Sequence, residues 1–230
     1  MEDKTSGIDP KAVLSSVIEI AQAVIRDPAS FFRQMPRAGG YNDPLIFAVV
    51  MGFAAGIVRA VLSPFSPVAH GFLAAILLSI IVTPILIGLF SFVSASILFL
   101  IWQLMGSHQP YEVSYRIAAY ALAICPITTA ISLIPYLGVV AGLGWTAFIF
   151  VCASVELHGI KPKTAWIVFG AIFVVLAFGS VSLQRSARGF QHNMDQFGKK
   201  LGEIQKMKPE QAGQAVGEFL KGMEKGINKK

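Results

Sequence analysis

Charged residues are scarce in this sequence of 230 residues, and their scarcity excludes most soluble proteins. Only 14% of the residues are Asp, Glu, Lys or Arg, whereas about a quarter are charged in an average soluble domain. Apolar residues make up 54% of the chain, and the mean hydropathy is +0.63. A globular protein in water needs more polar surface than this composition supplies. We therefore predict an all-α, polytopic membrane helical bundle.

Cysteine and the motifs of soluble enzymes are scarce as well. Cys125 and Cys152 lie in apolar segments, where we expect reduced thiols that pack as small apolar groups. The four histidines form no HxxxH or HExxH pattern. Nucleophile-elbow, phosphate-loop and dinucleotide-binding signatures do not occur. We therefore expect no catalytic, cofactor-binding or metal-binding residues and a non-enzymatic role.

The formal charge of +6 is distributed unevenly along the chain. Residues 1–43 carry −1, residues 44–183 carry +2 and residues 184–230 carry +5. We predict these segments as an N-terminal interfacial segment, a five-span membrane domain and a basic amphipathic tail. A basic tail on a membrane domain favours anionic lipid headgroups over nucleic acid as its partner. The polar, acidic first nine residues lack the pattern of a signal peptide.

Apolar stretches predict five membrane spans, with six as the alternative. Each is about long enough, as a helix, to cross the roughly 30 Å hydrocarbon core. Residues 68–105 are uncharged but slightly short for two spans, so we interpret 69–82 as a continuation of the second span or an interfacial segment. Residues 106–116 are predicted to form a polar loop. The predicted spans lie at about residues 44–62, 83–105, 117–134, 139–157 and 164–183.

Amphipathic helices are predicted on both sides of the membrane domain. Residues 11–26 place apolar side chains at helical spacing but are too short to span, so we expect them in the interface or packed on the bundle. The tail repeats this pattern at about 190–207 and 212–223. Lysines and arginines of the flanking segments are the candidate lipid-surface residues: Arg33, Arg37, Lys199, Lys200, Lys206 and Lys208.

Positive residues in the short connections predict the orientation of the spans. The N-terminal arginines, Arg116 and Lys161 fall on one side of the membrane, whereas the turns near Pro64 and Pro135 are uncharged. Five spans with a cytoplasmic N-terminus satisfy this rule. An odd number of spans places the basic tail on the opposite side, against the rule, and the side of the tail stays open.

Ionisable residues at the ends of spans form the candidate functional group. Glu156 is the acid nearest to an apolar run, with Arg116 or Lys161 as its expected partner. An ionisable group at membrane depth is a candidate for function, and the alternative is ordinary solvation at the interface. The predicted polar rim, a mouth or a partner-docking edge, comprises His108, Glu112, Arg116, Glu156, His158 and Lys161.

Small residues and a proline inside the spans predict close contacts between helices. Glycines four residues apart allow two helices to approach each other. A proline can instead mark an unwound helix, as at transporter binding sites, and we favour plain packing. The candidate helix-packing residues are Gly52, Gly56, Pro126, Gly138 and Gly142.

Short motifs also occur in a characteristic order. They begin with Asp27-Pro28, Phe31-Phe32, Met35-Pro36-Arg37, Gly39-Gly40 and Asp43-Pro44-Leu45. They continue with Tyr111-Glu112, Tyr115-Arg116, Ala119-Tyr120-Ala121, Pro126, Ile134-Pro135, Gly138, Trp145 and Glu156-Leu157-His158-Gly159. This ordered set, over about residues 25–185, resembles the Yip-domain family, membrane proteins named for their interaction with Ypt/Rab GTPases. The first stretch is most similar to bacterial members.

The resemblance implies a five-span bundle with a cytoplasmic N-terminus, in agreement with the charge pattern, and a bacterial-type member implies the inner membrane. Eukaryotic members have roles in early secretory traffic through GTPase and partner binding, which we do not carry over to this chain. We interpret the protein as a membrane-organising or partner-binding scaffold. Its predicted partners are anionic lipids, other membrane proteins and further copies of the chain. The alternative is a small-molecule transporter or a lipid-translocating protein.

Overall fold

The computed structural model describes residues 10–62 and 78–206, and all structural statements refer to these residues. The predicted turn at Pro64, most of the segment 69–82, Lys208 and the second tail helix lie outside them. The described residues are helices joined by short connections, without strands. The chain divides into two compact units, Met1–Ser180 and Val181–Lys230. The prediction of an all-helical fold is confirmed.

Two short helices, α1 (Pro10–Arg26) and α2 (Pro28–Gln34), precede the first span. The chain turns between them at Asp27, whose side chain accepts a hydrogen bond of 3.1 Å from the Ser30 N–H. Pro28 then occupies the first position of α2, where its missing N–H costs nothing. Val17 and Val24 of α1 are buried against the bundle, so the amphipathic helix predicted over residues 11–26 is present.

Five helical stretches of the described chain are long and apolar enough to cross a membrane. The second is preceded by a π-helical turn, and the third consists of two α-helices joined by a 3₁₀ turn. By length and composition, the prediction of about five spans is confirmed. The helices of the spans are α3 (Asn42–Leu62), α4 (Thr83–Leu104), α5 (Tyr111–Ala121), α6 (Cys125–Ile131), α7 (Leu137–Glu156) and α8 (Pro162–Lys206).

Helix α3 packs against α4, α5 and α6 in the first unit. At Gly52 an added Cβ would lie 2.9 Å from the Cα of Pro84 on α4, so only glycine permits this approach. Aromatic rings fill the adjoining space, with Phe92 of α4 stacked on Tyr115 of α5 at 4.3 Å. Van der Waals packing of this kind is the main attraction between helices inside a membrane, because lipid tails are as apolar as the side chains.

The third span is interrupted at Leu122–Ile124, where a 3₁₀ turn joins α5 to α6. Pro126 stands at the start of α6, where it lacks an N–H for the preceding turn. The hydroxyls of Thr128 and Thr129 donate to the Cys125 carbonyl at 3.1 and 2.7 Å. These bonds satisfy the Cys125 carbonyl at the interruption of the span, where the surroundings are apolar.

The fourth span, α7, lies close to α6 after a tight turn. At Gly142 an added Cβ would lie 2.8 Å from Cγ2 of Thr128, and at Gly138 it would lie 2.6 Å from the backbone of Ser132. Side chains at Gly138 and Gly142 would therefore push α7 away from the third span. The remaining predicted packing glycine, Gly56, is buried in α3.

One predicted boundary is wrong, and one predicted span continues as a longer helix. Residues 106–116 are not a loop throughout, because α5 begins at Tyr111 and includes Glu112 and Arg116. The helix of the fifth span does not end near residue 183 and continues to Lys206 without a separate tail helix, so α8 belongs to both units. In the second unit, Phe190, Met194 and Lys199 are exposed on this helix, and Lys200 and Lys206 also belong to it.

Candidate functional site

Hydrogen bonds between distant parts of the sequence converge at one end of the first unit. This end comprises α2, the connections 35–41, 105–110 and 157–161, and the helix ends that they join; we call it the polar end. Helix α3 starts here, α4 ends here, α5 starts here and α7 ends here. The predicted rim residues therefore lie at the same end of the bundle.

An ion pair joins α2 to the end of α7. Nε of Arg33 lies 2.8 Å from Oε2 of Glu156, and Nη2 of Arg33 donates to Oε1 at 2.9 Å. The two parallel hydrogen bonds fix the orientation of α2 on α7. Arg33 is 65% exposed, so water screens the pair and its main effect is on the orientation of α2 rather than on stability. The expected pairing of Glu156 with Arg116 or Lys161 is therefore wrong.

Arg116 is a buried charge, with only 4% of its surface exposed. Its Nε lies 3.4 Å from Oε1 of Glu112, and its Nη2 donates to the Gly40 carbonyl at 3.1 Å. The Gly40 N–H in turn donates to Glu112 at 2.7 Å. These bonds hold the 35–41 connection on α5 and provide the buried guanidinium with an anion and a carbonyl, as a buried charge requires.

The close fit of this connection on Arg116 depends on glycine. Gly39 has φ +136°, and an added Cβ would lie 2.7 Å from Nη2 of Arg116. Gly40 has φ +80° but open space at its Cβ position. Gly39 is therefore required for both its backbone conformation and its lack of a side chain, whereas Gly40 is required for its conformation alone.

A second buried cluster joins the 105–110 and 157–161 connections. The Trp102 Nε1–H donates to Ser154 Oγ at 2.8 Å, and the indole stacks on the His158 ring at 4.2 Å. Ser107 Oγ lies 2.6 Å from Nδ1 of His158. Burial, with a smaller contribution from the positive charge of Arg37, lowers the pKa of His158 to about 4. His158 is therefore neutral at pH 7 and acts as a packed, hydrogen-bonded ring.

The predicted rim residues are distributed over three local arrangements. Glu112 and Arg116 bind each other, Glu156 binds Arg33, and His158 belongs to the tryptophan cluster. His108 and Lys161 are exposed at the same end. The residues missed by sequence reasoning are Arg33 as a pairing residue, Trp102, Ser107 and Ser154. Gly39 and Gly40 were visible in the sequence as part of the ordered motifs. Trp102 and Ser154 gave no comparable signal, because they lie 52 positions apart in apolar segments.

The described residues indicate binding more readily than catalysis. No group of three or more His, Cys, Asp or Glu side chains among them is placed to hold a metal ion. Four charged groups of the polar end, Arg33, Glu112, Arg116 and Glu156, are held by protein partners, and Arg37 and Lys161 are exposed beside them. This arrangement presents a preformed, mainly basic surface, and the hydroxyl and imidazole that meet there, the buried Ser107 and the largely buried His158, lie beneath it.

The sequence profile of the Yip1 domain matches residues 23–183. The match begins in α1, ends in the fifth span and includes the whole polar end, so the resemblance found over about residues 25–185 is confirmed. A search of curated proteins and a search of solved structures gave no match.

Proposed function

The chain belongs to the Yip1-domain family, and on that premise we propose that it is a membrane-organising scaffold whose polar end docks other membrane proteins. The Yip1 family is not a known family of enzymes. The observation that carries the proposal is the Arg33–Glu156 pair, which holds α2 on α7 as part of a preformed surface. A docking surface that is ordered before its partner arrives loses less conformational entropy on binding.

The proposed location is the inner membrane of a bacterium, with the N-terminus and the polar end on the cytoplasmic side. The excess of Lys and Arg in the short connections at this end supports that orientation.

The proposed organisation keeps residues 1–43, 44–183 and 184–230 as interfacial segment, membrane domain and basic tail. Anionic lipids are the proposed contact of the tail, and deletion of residues 207–230 is expected to lower the anionic lipid that copurifies with the protein.

Site-specific photo-cross-linking in native membranes tests the docking role. A photoreactive residue replaces Ala38, which is exposed in the 35–41 connection, and the matched control replaces Leu89, which is exposed on α4. We expect discrete protein adducts at position 38 and only lipid adducts at position 89. Glu156→Gln weakens the hold on α2 and is expected to lower the adduct yield about five-fold, the equivalent of about 1 kcal/mol. Equal adducts at both positions would contradict the proposal.

A second candidate function, lipid or small-molecule translocation, is favoured by the interruption of the third span. The 3₁₀ turn Leu122–Ile124 and Pro126 place irregular backbone inside a span, and transporters often have discontinuous helices at their binding sites. Proteoliposomes with fluorescent lipids measure flip-flop directly. We expect Pro126→Ala and Glu156→Gln to slow it if this function applies. Absence of flip-flop and of solute flux in wild-type proteoliposomes would exclude it.

A further inference from the structure

A cleft of about 440 Å³ lies between α1, α2 and the third span. It forms because Asp27 and Pro28 end α1 and turn the chain into α2. Its apolar floor includes Phe31, whose ring meets the Tyr120 ring edge-on at 5.4 Å. A volume of this size accommodates a small ligand or a lipid headgroup.

The rim of the cleft carries one positive and one negative group, Arg26 and Asp27. Arg26 forms no ion pair within residues 10–62 and 78–206. Hydrogen bonds from Ser30 hold the pKa of the Asp27 carboxyl below its ordinary value, so Asp27 is charged at neutral pH. Ser30 and Gln34 add neutral hydrogen-bonding groups. A ligand that fits this rim has both an anionic and a cationic group.

The cleft reaches from the polar end toward the middle of the third span. Helix α1 contacts the 3₁₀ turn Leu122–Ile124 near the middle of that span, whereas Asp27 leads into α2 of the polar end. On its outer side α1 exposes Leu14 and Ile18. An amphipathic helix with exposed apolar residues beside a span lies in the membrane interface. The apolar floor of the cleft therefore faces acyl chains and its charged rim faces headgroups.

We propose that this cleft binds one phospholipid whose headgroup carries a phosphate and a primary ammonium. The Arg26 guanidinium binds the phosphate, the Asp27 carboxylate accepts hydrogen bonds from the ammonium, and the first carbons of the acyl chains lie along Phe31 and Tyr120. Arginine is well suited to phosphate because its planar fork offers several donors. A purely anionic headgroup would place its charge beside Asp27 without a compensating cation. The cleft shares α2 and the first residues of the 35–41 connection with the polar end, but the proposed lipid contacts are Arg26, Asp27, Phe31 and Tyr120, none of which belongs to the Arg33–Glu156 pair.

Photo-labelling of the full-length protein tests this site. The protein is reconstituted in phosphatidylcholine vesicles that contain a photoactivatable phosphatidylethanolamine, and labelled peptides are mapped by mass spectrometry. We expect the label on the peptides that contain Phe31 and Tyr120. Unlabelled phosphatidylethanolamine should displace it, and phosphatidylglycerol should need about ten-fold more, the equivalent of about 1.4 kcal/mol. This competition uses the wild-type protein and is independent of any effect of substitutions on folding.

Two substitutions test the separate roles of Arg26 and Asp27 in binding the headgroup. Arg26→Gln is expected to lower labelling about five-fold, or about 1 kcal/mol. Asp27→Asn keeps an N-cap residue for α2 and should reverse the lipid preference, so that phosphatidylglycerol displaces the probe better than phosphatidylethanolamine. Lys11→Gln removes one charge from α1 outside the cleft and should change neither result. Equal displacement by the two lipids in the wild type, or labelling that Arg26→Gln leaves unchanged, would overturn the proposal, whatever the outcome of cross-linking at position 38.

Discussion

The third span and the fifth span differ in both composition and surroundings. The third, Tyr111–Ile131, has a mean hydropathy of 1.2, and half of its most apolar stretch is buried by other parts of the protein. The fifth, Pro162–Phe190, has a mean hydropathy of 2.3, and 6% of the corresponding stretch is buried. The less apolar span is therefore the better packed one. Protein neighbours supply partners for polar side chains, and lipid neighbours supply none.

Each span shows the consequence of its neighbours. The third span contains Arg116, which is only 4% exposed and is held by the Glu112 carboxylate and the Gly40 carbonyl. The fifth span contacts the rest of the first unit mainly near its start, where Phe169 packs near Trp102 and Phe150. Beyond that, Val174, Val175 and Phe178 are exposed. We infer that the third span is the structural centre of the bundle and that the fifth span has few protein neighbours among the described residues.

Removal of the buried charge in the third span is expected to have the largest effect. Arg116→Leu leaves Glu112 without its guanidinium partner and the Gly40 carbonyl without its donor. We expect a loss of about 3–4 kcal/mol in the free energy of unfolding, measured by denaturant titration in micelles. Arg59→Leu, at an exposed position of α3, should cost less than about 0.5 kcal/mol. Equal losses for the two substitutions would show that Arg116 is not held as described.

A charge introduced into the fifth span tests whether the exposed face of that span contacts hydrocarbon. Val175 is 70% exposed near the middle of that span. Val175→Arg should raise the apparent free energy of membrane insertion by about 3 kcal/mol, because the guanidinium meets hydrocarbon. Glycosylation mapping of insertion into microsomes measures this quantity, with Val175→Leu as the neutral control. An unchanged insertion energy would mean that this face contacts polar groups.

Alanine substitutions at two glycines compare how tightly the third and the fifth span are packed. Gly142 lies against Thr128 of the third span, and Gly170 of the fifth span has nothing within 4 Å of its Cβ position. Gly142→Ala should lower the free energy of unfolding by about 1.5 kcal/mol through overpacking. Gly170→Ala should leave it unchanged or raise it slightly, since alanine favours helix more than glycine. The same denaturant titration serves for both, and an equal response would remove the contrast between the two spans.

The smallest expected effect concerns His158, which ties the connection before the third span to the connection before the fifth. Its folded pKa of about 4 lies below the ordinary value of 6.5, so the unfolded chain takes up a proton first as the pH falls. Its contribution to stability is therefore complete above about pH 6.5 and should shrink by about 1 kcal/mol by about pH 5.5.

Thermal unfolding at several pH values measures this dependence. His158→Phe keeps a ring against Trp102 but cannot titrate, and it should flatten the pH dependence over this range. His108→Phe, at an exposed histidine of the same end, should leave the dependence intact. A wild-type protein whose stability does not change over this range would contradict the buried, neutral state of His158.

Hydropathy alone misplaces the start of the third span, the span that is most buried by other parts of the protein. The start of the third span was predicted at Ile117, because Glu112 and Arg116 read as loop residues. In the fold these two side chains bind each other across one helical turn and also hold Gly40. The helix can therefore begin at Tyr111. Only contacts between positions about 75 residues apart in sequence reveal this.

The polar end shows the same limit of sequence reasoning. The position of Glu156 at the end of a span was visible, but its partner was not, because Arg33 is 123 positions away on a helix that charge alone assigns to the lipid surface. The extent of α8 was also missed. A shift from apolar to charged residues near position 184 indicates the limit of the membrane domain, but it does not end a helix unless a proline or a capping residue follows.

The contact between Gly39 and Arg116 also constrains how this sequence can diverge. A side chain at position 39 would meet the guanidinium at 2.7 Å and would also have to adopt φ +136°, so a shorter residue at position 116 relieves the contact but not the backbone strain. A shorter residue at position 116 in turn leaves the Glu112 carboxylate and the Gly40 carbonyl to find other partners. Gly39 is therefore expected to persist when position 116, 77 residues away, varies, and a larger residue at position 39 is expected only together with a shorter one at position 116. Variation at position 40, where space is open, should be independent of position 116.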